Sequence, residues 1–211
     1  MSADNKHCAL VDGLARLNLT LSPVTQQKLL DYVALVQKWN KVYNLTAVCD
    51  ADKMLTHHLL DSLAVVPHVA TAKTILDVGS GAGLPGIPLA LALPHMHVTL
   101  LDSNHKKTAF LNQAVIELKL SNAEVICARV EKYQSKEKFS VVVSRAFSDL
   151  PEFVKRAGRQ VASGGTLLAM KGVHPTDEIA QLGAGFKLWC VTPLKVPGLD
   201  AERHLVFLKA A

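Results

Sequence analysis

The densest concentration of chemistry-bearing residues is the stretch Asp77-Val78-Gly79-Ser80-Gly81-Ala82-Gly83-Leu84-Pro85-Gly86-Ile87-Pro88, which sets four glycines and two prolines between two apolar runs. Glycine permits sharp turns and lets a ligand approach the backbone with no Cβ in the way. Pro85 and Pro88 suit the first turn of a helix, where backbone N–H groups lack intrahelical partners in any case. A loop that leaves a strand and opens a helix is where open α/β sheets hold nucleotide-like ligands. The stretch therefore reads as a ligand cradle, with a purely structural glycine turn as the plain alternative.

Which ligand it holds turns on the acids around it. Gly81-x-Gly83-x-x-Gly86 matches the dinucleotide fingerprint, and Asp102 ends the next apolar run at about the ~20-residue distance of a ribose-binding carboxylate, able to accept both ribose hydroxyls. A nicotinamide-dependent dehydrogenase and a methyltransferase would both place an acid there. Three features favour S-adenosylmethionine (SAM). The glycines begin one residue beyond Val78, as Gly79-x-Gly81-x-Gly83. Asp77 is an acid inside an apolar strand, costly to bury without a cationic or hydrogen-bonding partner. The amino group of SAM supplies such a partner, directly or through water, whereas a pyrophosphate would be repelled. The third feature is the chain's end, where "FKLWCVTPLKV" and "RHLVFLK" are strand-like runs with no helix between them, as in a methyltransferase sheet closed by an antiparallel hairpin.

The elements that must position these residues follow from the pattern. Ser22-Pro23 offers an N-cap and a first-turn proline, and Leu29, Leu30, Val33, Val36 and Trp39 then recur at helical spacing. A second helix is expected from about residue 50 or 51 to Val65, stopped by Pro67, with Leu55, Leu59, Ser62 and Leu63 on one face. From Lys73 onward, "KTILDVG", "HVTLLD", "AEVICAR", "SVVVSRA" and "GTLLAMK" alternate with helical patterns over 84–93, 105–118 and 150–162. Strands that read as continuous apolar runs between helices belong to a parallel sheet covered on both faces. The fold class expected is α/β, a Rossmann-like class I SAM-dependent methyltransferase sheet, mostly parallel with an antiparallel last strand. Residues 1–66 form a small helical N-terminal subdomain and 67–211 the methyltransferase domain.

Composition narrows the class further. A hydrophobic fraction of 49% against 19% charged residues excludes a disordered chain. No apolar run is long enough to span a membrane and the N-terminus lacks a signal pattern, so a cytoplasmic protein is expected. Cys8, Cys49, Cys127 and Cys190 form no CxxC pair and read as reduced thiols. Residues 1–66 balance six Lys/Arg against six Asp, whereas 67–211 carry 17 Lys/Arg against 12 Asp/Glu. The whole net charge of +5 therefore lies with the glycine loop, as suits a polyanionic partner such as nucleic acid.

Strings along most of the chain, from about residue 20 to 209, carry a more specific signal. "WNKVYNLTA", "HHLLDSL", "LDVGSGAGLPGIPLA", "LLDSNHKK", "RVE", "VVSRAF", "MKG" and "ERHLV" occur in order. In these the chain resembles the RsmG (GidB) family of bacterial 16S rRNA guanine-N7 methyltransferases; Ala82 stands where some relatives have proline. The resemblance implies SAM as cofactor, 16S rRNA or the small ribosomal subunit as partner, and N7 of the guanine at position 527, in the decoding region, as target. It also implies that Gly79 and Leu84 line the cofactor, that Val130-Glu131 meet the adenine and that Arg145 reaches the site.

With Asp77, Gly81, Gly83 and Asp102 from the residues themselves, these make the cofactor-binding set. Guanine N7 carries a free lone pair, so no general base is expected and alignment of lone pair, methyl and sulfur is most of the catalysis. The chain has neither an "NPPY"-like string, as amine methylation of adenine would suggest, nor a Pro-Cys pair for covalent attack on cytosine; "SRAF" stands at that strand end. Arginine reads guanine through O6 and N7 together, which would occupy the reacting lone pair. Arg145 is thus expected on a phosphate, on O6 alone or on the methionine carboxylate, with an ion pair to a helix as the structural alternative. Arg129, Arg145 and Lys171 are the RNA-binding candidates. Lys106, Lys107, Lys155, Arg156 and Arg159 read as solvated helix charge that widens a basic footprint. His57 and His58 diverge by about 100° on a helix, and His95 and His97 lack ligand companions, so no metal is expected. Packing or capping, ahead of catalysis, is the reading for His58; loop capping is the reading for Asn40, Asn44 and Thr46, with lidding the cofactor or touching RNA as the alternative. A monomer is expected. A small-molecule methyltransferase, a nicotinamide-dependent oxidoreductase and a non-catalytic RNA-binding module are the alternatives.

Overall fold

The computed structural model describes residues 3–145, 147 and 149–211. Two helices lead, α1 (Ala3–Arg16) and α2 (Pro23–Tyr43). Ser22 caps α2 as its sequence predicts, its Oγ accepting the Thr25 N–H at 3.1 Å. Asn44 ends α2 in the left-handed conformation at φ 49°. Next come α3 (Ala51–Met54), a π-helical turn (Leu55–Leu60) and α4 (Asp61–Leu63) in continuous succession. The helix expected over this region is thus present but widened in its middle. Pro67 does not terminate it; it lies in the first turn of the short α5 (Val66–Val69), where its missing N–H removes no bond.

Seven strands then build one sheet: β1 (Thr74–Val78), β2 (His97–Asp102), β3 (Ala123–Cys127), β4 (Phe139–Ser144), β5 (Val161–Lys171), β6 (Phe186–Pro193) and β7 (His204–Ala210). Their order is β3-β2-β1-β4-β5-β7-β6. Strands β1 to β5 pair in parallel, while β7 runs antiparallel between β5 and β6. The crossovers carry α6 (Gly86–Ala92), α7 (His105–Glu117) and α8 (Leu150–Ala157), with α9 (Thr176–Ala180) ahead of β6. Helix α8 is shorter than its pattern predicts, because a 3-10 turn (Gly158–Gln160) leads directly into a longer β5.

Alternation along β1 sorts the core. Ile75 faces an apolar cluster running from Leu10 through Tyr32 and Leu59 to Phe110 and Leu205, while Leu76 faces a second cluster around Phe153, Leu167 and Leu208. The first cluster draws on residues from both sides of position 66. With a period of two, Asp77 falls on the same face as Ile75, beneath α6. The first turn of the glycine loop is stitched to β2, since Gly79 and Ser80 donate their N–H groups to the Leu101 carbonyl at 2.8 and 3.1 Å.

Candidate active site

The switch in strand order lies between β1 and β4, and the ends of these strands face two pockets. The larger is a cleft of about 510 Å³ where β1 and β2 end. It gathers Gly79, Asp102, Arg129, Val130 and Glu131 from the residues expected to act, and adds Phe147, Glu152 and Arg156. Gly79, Gly81 and Gly83 all take positive φ, at 73°, 59° and 87°, so the turn requires a residue without Cβ. Asp102 is 7% exposed at the cleft floor. Its Oδ2 accepts the Gly81 N–H at 2.9 Å and its Oδ1 accepts the Asn104 N–H at 2.8 Å. Each carboxylate oxygen keeps a lone pair for a further donor. The same Asn104 then caps α7, accepting the Lys106 N–H at 2.9 Å.

Asp77, Gly81, Gly83 and Leu84 support the cleft from behind rather than lining it. Leu84 is buried in the first apolar cluster. Asp77 is fully buried, and its Oδ2 accepts the Gly86 N–H of α6 at 3.0 Å. Gly86 is itself required, because a Cβ there would lie 2.3 Å from Leu100 and 2.7 Å from Asp77 Oδ2. The other oxygen, Asp77 Oδ1, is buried with no hydrogen-bond partner. Burial pushes the Asp77 carboxyl up to about 7, against the opposing pull of the Gly86 N–H. An orphaned buried carboxylate oxygen suits the cationic amino group of SAM, and Asp102 suits its ribose.

The second pocket, about 330 Å³, lies where β4 and β5 end and is lined by His57, His58, Asp61, Arg145, Lys171 and Arg203 among others. Arg145 is therefore not on the larger cleft. Of the roles weighed for it, the ion pair with a helix is the one displayed: its Nη1 lies 3.2 Å from Asp61 Oδ2 and 3.2 Å from the His57 carbonyl. Arg203 reaches the other Asp61 oxygen through Nε at 3.1 Å. Burial pushes the Asp61 carboxyl above its usual range although both guanidiniums pull it down.

The π-helical turn places His58 in this network. Arg145 Nη2 lies 3.0 Å from His58 Nδ1, and Thr46 Oγ1 lies 2.7 Å from His58 Nε2. Arginine only donates, so Nδ1 accepts and Nε2 carries the proton toward Thr46. Burial, then the Arg145 charge, lowers the His58 pKa to about 4. Asn40 accepts the Thr46 N–H at 2.8 Å and Asn44 caps α2, so both make the loop-capping contacts expected of them. Lys171 is paired with Glu178 at 2.8 Å. Among the described residues no group of three or more His, Cys, Asp or Glu is arranged to hold a metal, and all four cysteines are free thiols. No described helix is long and apolar enough to cross a membrane.

Sequence patterns overlooked several participants. Tyr32 donates its hydroxyl to the Ala82 carbonyl at 2.6 Å, tying α2 to the glycine loop. Asp61 reads as one more polar residue on a helix until Arg145 and Arg203, 84 and 142 positions away, are folded onto it. Arg156 and Arg159, taken as solvated charge, in fact grip the segment after β3. Arg156 pairs with Glu131 at 2.7 Å and with Glu152, and Arg159 reaches the carbonyls of Val130, Glu131 and Tyr133.

Similarity to known proteins places these features in a class. The fold resembles the O-methyltransferase NcsB1 of neocarzinostatin biosynthesis, solved with S-adenosyl-L-homocysteine, at a TM-score of 0.60 and 19% identity over 76% of this chain and 55% of that one. It also resembles TrmN from Thermus thermophilus, at a TM-score of 0.56 and 18% identity over 71% of this chain and 48% of that one. A seven-stranded sheet with this order is the fold of the class I SAM-dependent methyltransferases.

Closer relatives fix the family. The family described as "rRNA small subunit methyltransferase G" matches residues 25–206. "Ribosomal RNA small subunit methyltransferase G" of Laribacter hongkongensis is 58% identical over 93% of this chain and 94% of its own length. The protein of the same name from Nitrosospira multiformis is 54% identical over 98% and 99%. The chain belongs to the rRNA small subunit methyltransferase G family.

Proposed function

We propose that this protein transfers the methyl group of SAM to N7 of a guanine in 16S rRNA, the guanine at position 527 in the decoding region of the small subunit, in the cytoplasm. The observation that carries the reading is the pairing of two pockets on adjoining strand ends. One is floored by a ribose-type acid, and the other is lined by Arg145, Arg203 and Lys171. A methyl donor seated in the first lies beside a cationic surface suited to a polyanion. Family membership supplies the choice of ribosomal RNA.

SAM supplies an electrophilic methyl group on sulfonium. Asp102 would hold the ribose hydroxyls, Val130 and Glu131 would meet the adenine, and Gly79 would let the backbone approach the cofactor. Asp77, beneath the loop, would be the counter-charge to the amino group. Guanine N7 needs no proton removed, so the protein's part is to align it with methyl and sulfur and to exclude water. His58, held neutral and engaged on both nitrogens, is not required as a base. Arg145, Lys171 and Arg129 bind RNA phosphates, Arg145 and Lys171 by exchanging their present carboxylate partners for phosphate.

The experiment is transfer of labelled methyl from SAM onto small subunits from cells lacking the enzyme, with naked 16S rRNA in parallel and the modified base mapped. Label at guanine N7, lost with Asp102→Ala, is the expected result. Label at another base or atom would overturn the target. No label on either RNA despite tight SAM binding would move the substrate to small molecules.

A further inference from the structure

Strand β3 ends at Cys127, and the last bond tying the following segment back to the sheet is Ala128 N–H to the Asp102 carbonyl at 3.1 Å. Residues 128–131 then form the cleft wall opposite the glycine loop, beyond the reach of the strand ladder. Val130 is buried in the second apolar cluster, and Lys132 and Tyr133 donate their N–H groups to the Arg129 carbonyl at 2.9 and 3.0 Å. The further ties from outside the segment come from α8 and the 3-10 turn after it. Arg159 Nη2 faces the carbonyls of Val130 at 3.1 Å, of Glu131, and of Tyr133 at 3.2 Å. Gln160 Nε2 donates to the Tyr133 carbonyl at 2.9 Å. One turn earlier, Arg156 bridges Glu131 and Glu152, and both partners line the cleft. Helix α8 is anchored in turn by Leu150 and Phe153 in the second core cluster and by Asp149, which accepts the Glu152 N–H at 2.7 Å. All three carbonyls converge on the one Nη2, whose two N–H groups are shared among them, so one side chain ties a run of carbonyls that no single peptide group could.

We propose that Arg156 and Arg159 are positioning residues that help hold segment 128–133 in register as the adenine-reading wall, so that selectivity for the purine of the cofactor is set in part from α8 and the turn that follows it. The inference rests on reading the larger cleft as the SAM site. Neither arginine reaches the methyl group. Their effect falls on how well the wall fits the base, and not on the chemical step.

The test is titration calorimetry of wild type, Arg156→Gln, Arg159→Gln and Lys187→Gln with S-adenosylhomocysteine and with its inosine analogue, in which the purine amino group is replaced. Lys187 is exposed on β6, at the far edge of the sheet from the cleft, and serves as the charge control. Wild type prefers the adenosine compound. Arg159→Gln weakens the adenosine compound by about tenfold or more, the range expected for charged hydrogen bonds. It changes the inosine compound by less than about threefold, so the preference collapses, while kcat at saturating SAM holds within about twofold. Arg156→Gln, whose partners are the side chains of Glu131 and Glu152 and not the backbone of the wall, gives a smaller shift in the same direction, and Lys187→Gln none. Equal loss for both compounds, or an unchanged preference in folded Arg156→Gln and Arg159→Gln, would overturn the inference. Should Arg159→Gln fail to fold, Arg156→Gln and Arg159→Lys carry the comparison. Absence of binding of either compound by wild type would instead sink the reading of the cleft itself.

Discussion

The Tyr32 hydroxyl donates to the Ala82 carbonyl at 2.6 Å across fifty positions of sequence, from the middle of α2 to the middle of the glycine loop. Tyr32 is 1% exposed, and burial keeps its phenol protonated far above the usual range. A loop of three positive-φ glycines has wide conformational freedom, and this bond removes part of it. The helical N-terminal segment thus braces the glycine loop as well as the core.

Tyr32→Phe tests that role. It leaves the ring packed and the Ala82 carbonyl buried without its donor, a cost of about 1–3 kcal/mol. Thermal unfolding should report that loss, and titration should show S-adenosylhomocysteine binding weakened about 3–10-fold with kcat at saturation little changed. Wild-type affinity in Tyr32→Phe would mean that the loop holds its shape unaided.

Asp77 should make cofactor affinity depend on pH. Its folded-state value near 7, against about 3.9 unfolded, means the folded protein binds the extra proton between these values. This group's contribution to the stability of the ligand-free protein therefore falls as pH rises from about 4 to 7. A cationic amino group beside Asp77 favours the ionised carboxyl, so binding of S-adenosylhomocysteine should tighten by about tenfold from pH 6 to pH 8. Asp77→Asn keeps an acceptor for Gly86, flattens that profile and stabilises the ligand-free protein at pH 8. A pH-independent wild-type affinity would remove Asp77 as the amino group's partner.

Much of this was legible in the chain because it is local. Ser22-Pro23 starts α2, the glycine string turns at the end of β1, and Asp102 follows a run of apolar residues that can only be a buried strand. What stayed hidden depends on distant parts meeting. Nothing in "HHLLDSL" reveals a π-helical turn, and it is that turn which presents both His58 and Asp61 to Arg145. Arg156 and Arg159 have the spacing of a solvated helix face, and only the return of the chain after β3 gives them carbonyls and Glu131 to hold. Arg145 stands at the expected strand end, but its partner in this structure is Asp61. The choice of ion pair depends on a tertiary contact 84 residues away.

Asp61 should prove to be the residue on which the second pocket depends. It is 2% exposed and takes one guanidinium on each oxygen. Asp61→Ala leaves two partly buried arginines without their counter-charge, and removing one partner of a buried pair costs about 3–5 kcal/mol. Asp61→Asn, which keeps an acceptor, should lose less. Urea unfolding with unchanged m-values measures both; a loss under about 1 kcal/mol for Asp61→Ala would show that the two arginines find other partners at little cost.

His58 supplies the acid limb of the stability profile, with a sign opposite to that of Asp77. Its folded value near 4 lies below the unfolded value of about 6.5, so its contribution is complete above pH 6.5 and is lost as pH falls toward 4. By pH 5 the loss is of order 2 kcal/mol, because a protonated ring cannot accept from Arg145 and would sit against its charge. Asp77 gains over the same interval, so the two offset each other and wild type should show a shallow profile between pH 4 and 7. Separating them needs the single variants. His58→Gln keeps a donor for Thr46 and an acceptor for Arg145, and it should leave a profile that falls with rising pH. Asp77→Asn should leave one that rises. Parallel urea titrations at pH 5, 6 and 7 distinguish these slopes, and two variants with the same slope as wild type would show that neither group titrates in this range.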